Sequence, residues 1–204
     1  FNTGDWRLKR HAESQFWKWL ASWAACISKP SDIGFTDEGY ELPPLNLETV
    51  TVEVDQSEAA GDNLFRIATL SATTMHREMR MTSAARSDEV AKLVCGSTEP
   101  WIVWCNTNDE ADALVSRIDD AIEVRGSDTP EKKQRLLADF SEGRARVIIT
   151  KPSIAGFGLN WQHCRNVAFV GLSYSFEDFY QALRRSYRFG QTKQVNAYVI
   201  QAQT

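Results

Sequence analysis

The sequence predicts an α/β fold, a mostly parallel sheet with helices on both faces. Three observations predict it. Trp101–Cys105 (WIVWC) is a continuous apolar run, the pattern of a parallel strand covered on both sides. Similar short runs recur at Arg146–Thr150 (RVIIT) and Val167–Gly171. Between them lie segments with helical periodicity and their own start signals, and repeated strand–helix units imply a parallel sheet.

The elements follow in order. Residues 1 to about 45 differ from the rest. Phe16, Trp17, Trp19, Leu20, Trp23, Cys26 and Ile27 form a helix-like cluster, with more aromatic surface than one isolated helix can bury. The stretch KPSDIGFTDEGYELPPL, with its Pro43-Pro44 pair, reads as a linker. The expected organisation is therefore a helical segment and linker over 1–45 and a main domain over 46–204. Leu47–Asp55 alternates through Val50, Val52 and Val54, a half-buried strand. A polar helix is expected over Asn63–Thr82, and a second starting near Ser87 with Ser-Asp-Glu as its cap.

After the WIVWC strand, Thr107-x-x-Glu110 is a capping box. Its helix places Ala111, Leu114, Val115, Ile118 and Ile122 on one side. A short strand is expected at Ile122–Arg125. Thr129-Pro130 gives an N-cap and first-turn proline, Leu136, Leu137 and Phe140 mark the buried face, and Gly143 stops that helix. Ser175-x-x-Asp178 opens a helix with Phe176, Phe179, Tyr180, Leu183 and Tyr187 on its apolar side, and Val195–Ile200 closes as a strand. Trp101 and Trp104 are expected in the core. Trp161 fits either burial or stacking on a base.

Composition removes several function classes. No run of about 18 apolar residues exists, so no membrane span is expected, and FNTGDWRLKRH lacks the apolar region of a signal peptide. The absence of an initiator Met suggests a piece of a longer protein. Cys26, Cys95, Cys105 and Cys164 form no C-x-x-C pair, and His11, His76 and His163 lack zinc-finger spacing. Reduced thiols and no metal site are expected. An independent small-molecule enzyme would need a base, nucleophile or complete cofactor loop, and none is evident.

Net charge is −4, but the charge is unevenly placed. From Gly143 onward the only acids are Glu177 and Asp178, against eight basic residues: Arg144, Arg146, Lys151, Arg165, Arg184, Arg185, Arg188 and Lys193. The strongest chemical signal is QALRRSYRFGQ at Gln181–Gln191. On a helix, Gln181, Arg185 and Arg188 share one face, and Gly190 ends that helix. Planar, permanently charged guanidiniums suit a phosphate, although an arginine pair is also common on solvated helices. The second signal is KPSIAGFGLN at Lys151–Asn160, directly after a strand. Such glycines let a backbone approach phosphate or ribose oxygens, or simply make a turn. No G-x-x-x-x-G-K-[ST] loop and no acidic quartet after a strand occur.

Taken in order, WIVWCNTNDEADAL, VRGSDTPEKKQRLLADFSEG, RVIITKPSIAGFGLN and QALRRSYRFGQ resemble the second, C-terminal RecA-like lobe of superfamily-two helicases. More closely they resemble Swi/Snf-class DNA translocases of phage and prophage type. The resemblance runs from about Pro100 to the C-terminus, and FWKWLASWA…KPSDIGF resembles the stretch that follows the first lobe. It implies Arg185 and Arg188 as catalytic arginines, with Arg188 the finger on the γ-phosphate. It implies Gln181, Gly156, Gly158 and Asn160 at the ATP, and Asn106, Thr107, Ser127, Lys151 and Ser153 toward the nucleic-acid backbone. ATP and Mg²⁺ would be the cofactors, with the Mg²⁺ ligands and phosphate loop on an N-terminal RecA-like lobe, the expected partner. Duplex DNA would be the other partner, in the cytoplasm of a bacterial or phage-infected cell. The implied function is the motor lobe of an ATP-dependent helicase or translocase, the lobe alone being inactive. The alternative is a non-catalytic binding adaptor that kept the fold. One departure is plain: the family's S-T-[KR]-A-G-G-x-G is K-P-S-I-A-G-F-G here, while Gly156-x-Gly158-Leu-Asn160 matches.

Overall fold

A computed structural model describes residues 9–53, 79–156 and 158–203. The chain divides into two compact units, Phe1–Glu41 and Leu42–Thr204. In the first, helix α1 (Glu13–Ala21) buries none of its residues. Trp17, Trp19 and Trp23 are exposed, with ring centroids 5.2 Å apart in the Trp19–Trp23 pair. A 3₁₀ turn at Pro30–Ile33 follows. The Asp32 carboxylate fixes it by accepting from the Ser28 and Lys29 amides at 2.8 and 3.1 Å.

The second unit is the α/β domain. Its elements are β1 (Leu45–Glu53), α2 (Ser83–Cys95), β2 (Trp101–Trp104), α3 (Asn108–Val115), β3 (Ala121–Glu123), α4 (Pro130–Ser141), β4 (Val147–Thr150), α5 (Pro152–Ala155), β5 (Asn166–Phe169), α6 (Phe176–Leu183) and β6 (Val195–Gln203). The six strands run in the order β1-β6-β5-β2-β4-β3, and every adjacent pair is parallel. All residues of β2, β4 and β5 are buried, which accounts for their unbroken apolar sequence.

Because strand side chains alternate, the sheet builds two cores. Ile102, Trp104, Ile148, Val167 and Phe169 pack with Phe140 of α4, Ala155 of α5 and Ala182 and Leu183 of α6. Trp101, Val103, Val147, Ile149 and Ala168 pack with Val90 and Val94 of α2 and Ala111 and Leu114 of α3. Helices thus cover both faces. Trp161 is fully buried; its edge meets Phe140 at 5.2 Å and its Nε1 donates to Ser141 Oγ at 2.9 Å. Burial excludes Trp161 as a base-stacking surface in this structure.

Several local expectations shift. The helix expected over Asn63–Thr82 lies almost entirely outside the described residues, as do Val54 and Asp55 of the first strand. Helix α2 begins at Ser83, not near Ser87, and Ser87 is buried inside it. The polar Ser-Asp-Glu triplet resembles a cap, but the helix starts one turn earlier and buries Arg86 and Ser87 on the same face as Val90 and Val94. Helix α6 ends at Leu183, so Arg185 and Arg188 stand beyond it. Its expected apolar side is only half used. Leu183 is buried, whereas Phe176 is 75% and Tyr180 45% exposed.

All four cysteines are free thiols, Cys26 and Cys95 exposed, Cys105 and Cys164 buried. Burial pushes the last two thiols up to about 12. They are therefore protonated and inert at neutral pH. Among the described residues no helix is long and apolar enough to cross a membrane, and no cluster of His, Cys, Asp or Glu is arranged to hold a metal ion.

Candidate functional site

The segment after α6 continues in tight turns. The Arg185 amide donates to Ala182 O and the Ser186 amide to Leu183 O, each at 3.2 Å. Arg185 and Arg188 still point the same way, both guanidiniums reaching the Leu159 carbonyl. With Gly158, Tyr180, Gln181, Arg184 and Phe189 they line an open cleft of about 460 Å³.

Both guanidiniums are anchored to the loop that follows α5. Arg185 Nη1 and Arg188 Nη1 donate to the Leu159 carbonyl at 3.0 and 3.2 Å. Arg185 Nε and Nη2 also donate to Gln181 O at 3.0 Å and Gln181 Oε1 at 3.3 Å. The Trp161 amide returns a bond to Arg185 O at 2.9 Å. Burial, then Arg188 and Arg184, hold Arg185 below the ordinary guanidinium value. It nonetheless stays charged at physiological pH. Among the described residues no ion pair joins these three arginines to an acid. Uncompensated cations beside a cleft make an anion site.

Gln191, named only as the last letter of the motif, holds the turn together. It is buried, its Nε2 donates to Gln162 O at 2.9 Å, and its Oε1 accepts from the Thr192 and Lys193 amides at 3.1 and 3.0 Å.

The loop glycines have separate reasons. Gly158 lines the cleft at φ +76, a left-handed conformation that favours glycine. Gly156 is buried at the end of α5, where any Cβ would overlap the Pro152 carbonyl. Neither Gly156 nor Asn160 lines the cleft, and Asn160 Oδ1 accepts weakly from the Gln162 amide at 3.4 Å.

The candidates for nucleic-acid contact gather elsewhere, at the carboxyl ends of β2, β3 and β4. Lys151 Nζ donates to Asn108 Oδ1 at 2.8 Å across that edge. Thr107 Oγ1 accepts from the Glu110 amide at 3.2 Å as the cap of α3. Asn106 Nδ2 donates to Gly171 O at 2.9 Å. Ser127 and Ser153 are exposed, and Gly126 sits beside Ile154.

Residues 85–190, just over half of the chain, match the family model of the helicase conserved C-terminal domain. The chain belongs to that family. It is similar to the crystal structure of the C-terminal part of the Fun30 ATPase domain, with TM-score 0.52 and 26% identity, covering 58% of this chain and 41% of that one. It is also similar to the C-terminal domain of the DEAD-box protein Dbp5, with TM-score 0.52 and 20% identity, covering 59% of this chain and 72% of that one. The second likeness shows the fold alone. The chain thus spans less than half the length of the Fun30 structure it matches. No curated protein sequence matches significantly. The fold is a RecA-like helicase C-terminal lobe of superfamily two.

In this helicase lobe one feature escaped the sequence reading. Arg86 of α2 and Glu110 of α3 form a buried ion pair, 2.8 Å between Nη1 and Oε1, with side chains 4% and 0% exposed. Arg86 also donates to Thr82 Oγ1 at 3.1 Å, to Met79 O at 2.5 Å, and to Val170 O. Glu110 Oε2 accepts from the Asn106 and Thr107 amides at 2.7 and 3.1 Å. The pair therefore joins α2, the end of β5 and the loop after β2. A signal was present: Arg86 is in helical register with the buried Val90 and Val94, and Glu110 with Leu114 and Ile118. Gly171 stands against the pair, and a Cβ there would overlap Arg86 Nη1. Gly171→Ala is expected to destabilise the domain by about 1–3 kcal/mol, read as a lowered urea midpoint at unchanged m-value.

Proposed function

We propose that this chain is the C-terminal motor lobe of an ATP-dependent DNA helicase or translocase, Swi/Snf-class and phage-type. The observation that carries the reading is the arginine cleft, in which Arg185 and Arg188 converge on the Leu159 carbonyl and, among the described residues, pair with no carboxylate.

ATP binds between this lobe and an N-terminal RecA-like lobe, which holds the phosphate loop and the Mg²⁺ ligands. On closure Arg188 meets the γ-phosphate and stabilises the charge that builds there during transfer. Arg185 joins it and keeps the Gly158–Trp161 loop in place, while Gln181 orients Arg185 and borders the nucleotide. Gly156 and Asn160 act less directly, by shaping the loop that carries Gly158. Asn106, Thr107, Ser127, Lys151 and Ser153 face the DNA backbone, where contacts fix position rather than read sequence. With Asn106 and Thr107 side chains engaged internally, Lys151, which keeps two ammonium donors beyond its bond to Asn108, and the exposed serines are the more available contacts. Cycles of closure and opening then move the lobes along the duplex. The exposed tryptophans of α1 pack on the other lobe.

The test is ATP turnover by the complete protein with and without duplex DNA. Turnover stimulated by DNA is expected. No turnover, or turnover indifferent to DNA, contradicts the motor reading and favours a binding adaptor that kept the fold.

A further inference from the structure

The cleft contains a third guanidinium whose situation differs from the other two. Arg184 lines it beside Arg185 and Arg188. Its guanidinium carbon lies 5.8 Å from the Tyr180 ring centroid and 5.9 Å from that of Tyr187. At that range the ring faces attract a cation. Tyr187 is itself packed against the core, so one of the two rings is fixed.

The donor inventory separates the three arginines. Arg185 uses Nε, Nη1 and Nη2 in internal hydrogen bonds, and Arg188 uses Nη1. Among the described residues the Arg184 guanidinium makes no hydrogen bond or ion pair, and its backbone amide alone is engaged, to Tyr180 O at 3.0 Å. A guanidinium has five N–H donors in a planar fork. Arg184 is thus positioned by two rings that consume none of them. A polyphosphate carries more charge and more acceptor oxygens than two guanidiniums satisfy.

We propose that Arg184 is a third cationic contact of the arginine cleft, held by Tyr180 and Tyr187, which grips a phosphate of bound ATP in the ground state and so sets nucleotide affinity. This rests on the nucleotide reading of the cleft given above. It assigns Arg184 to binding and leaves the transferring phosphate to Arg188.

The test is titration of the complete protein with a fluorescent ATP analogue, and separately with labelled duplex DNA, at one fixed ionic strength. Arg184→Ala is expected to weaken nucleotide binding about tenfold or more with DNA affinity held within about twofold. Arg184→Lys, which keeps the charge but loses the fork, falls between Ala and wild type. Tyr180→Leu, at a half-exposed position that the fold tolerates, weakens nucleotide binding by a smaller factor because one of the two rings is gone. Unchanged nucleotide affinity in Arg184→Ala overturns the proposal. If DNA affinity falls instead, Arg184 is a nucleic-acid contact. Loss of hydrolysis in Arg188→Ala together with unchanged nucleotide affinity in Arg184→Ala defeats this inference alone. A wild-type protein that binds no ATP defeats the nucleotide reading with it.

Discussion

Replacing Arg86 with Ala is expected to lower the unfolding free energy of the Leu42–Thr204 unit by about 3–5 kcal/mol. The substitution leaves the Glu110 carboxylate, fully buried, without its cation. It also frees Val170 O and Met79 O from their donor. Glu110 retains the Asn106 and Thr107 amides, so a buried charge with partial compensation remains, which is the costly situation. Adding Glu110→Gln removes that charge while keeping an acceptor for the two amides. The double variant is therefore expected to be more stable than the sum of the singles implies, with a coupling of about 1–3 kcal/mol. Urea denaturation of the four proteins in the cycle measures it. Strict additivity would contradict the account of the pair.

In the complete protein, Arg188→Ala is expected to lower ATP turnover by about 10³-fold or more, the range seen when such a guanidinium is withdrawn from a phosphoryl-transfer site. Its fold should change little, because among the described residues its side chain makes one internal bond, to Leu159 O. Arg185→Ala is expected to lose turnover and stability together. Three of its nitrogens tie Gln181 and Leu159 to the turn, and it is 9% exposed. Melting temperature set beside turnover for each variant separates the roles. Arg188→Ala should lie on the activity axis alone and Arg185→Ala on both.

What the sequence disclosed was local. Thr107-x-x-Glu110 and Thr129-Pro130 announce α3 and α4 because a cap satisfies amides within one turn of itself. WIVWC and RVIIT announce central strands because both faces are covered. The position of β6 between β1 and β5 was not legible, since strand order is a matter of distant pairing rather than of composition. The same holds for Arg86 and Glu110, 84 and 61 residues from the β5 terminus they support, Val170 and Gly171. The arginine motif was legible as a grouping but not in its backbone. Positions 181, 185 and 188 suggested one continuous helix face, and the structure reaches a similar grouping through tight turns beyond Leu183. Nor did spacing show that Gly156 is needed for its own turn while Gly158 is the glycine at the cleft.

The central claim is that this lobe brings Arg188 to ATP held by another lobe on DNA. Its most direct test is steady-state ATP hydrolysis by the complete protein at saturating ATP and duplex DNA, wild type against Arg188→Ala. The account predicts DNA-stimulated turnover in the wild type and a collapse of about 10³-fold or more in the variant, with its melting temperature preserved. Turnover in Arg188→Ala comparable to wild type would contradict the account.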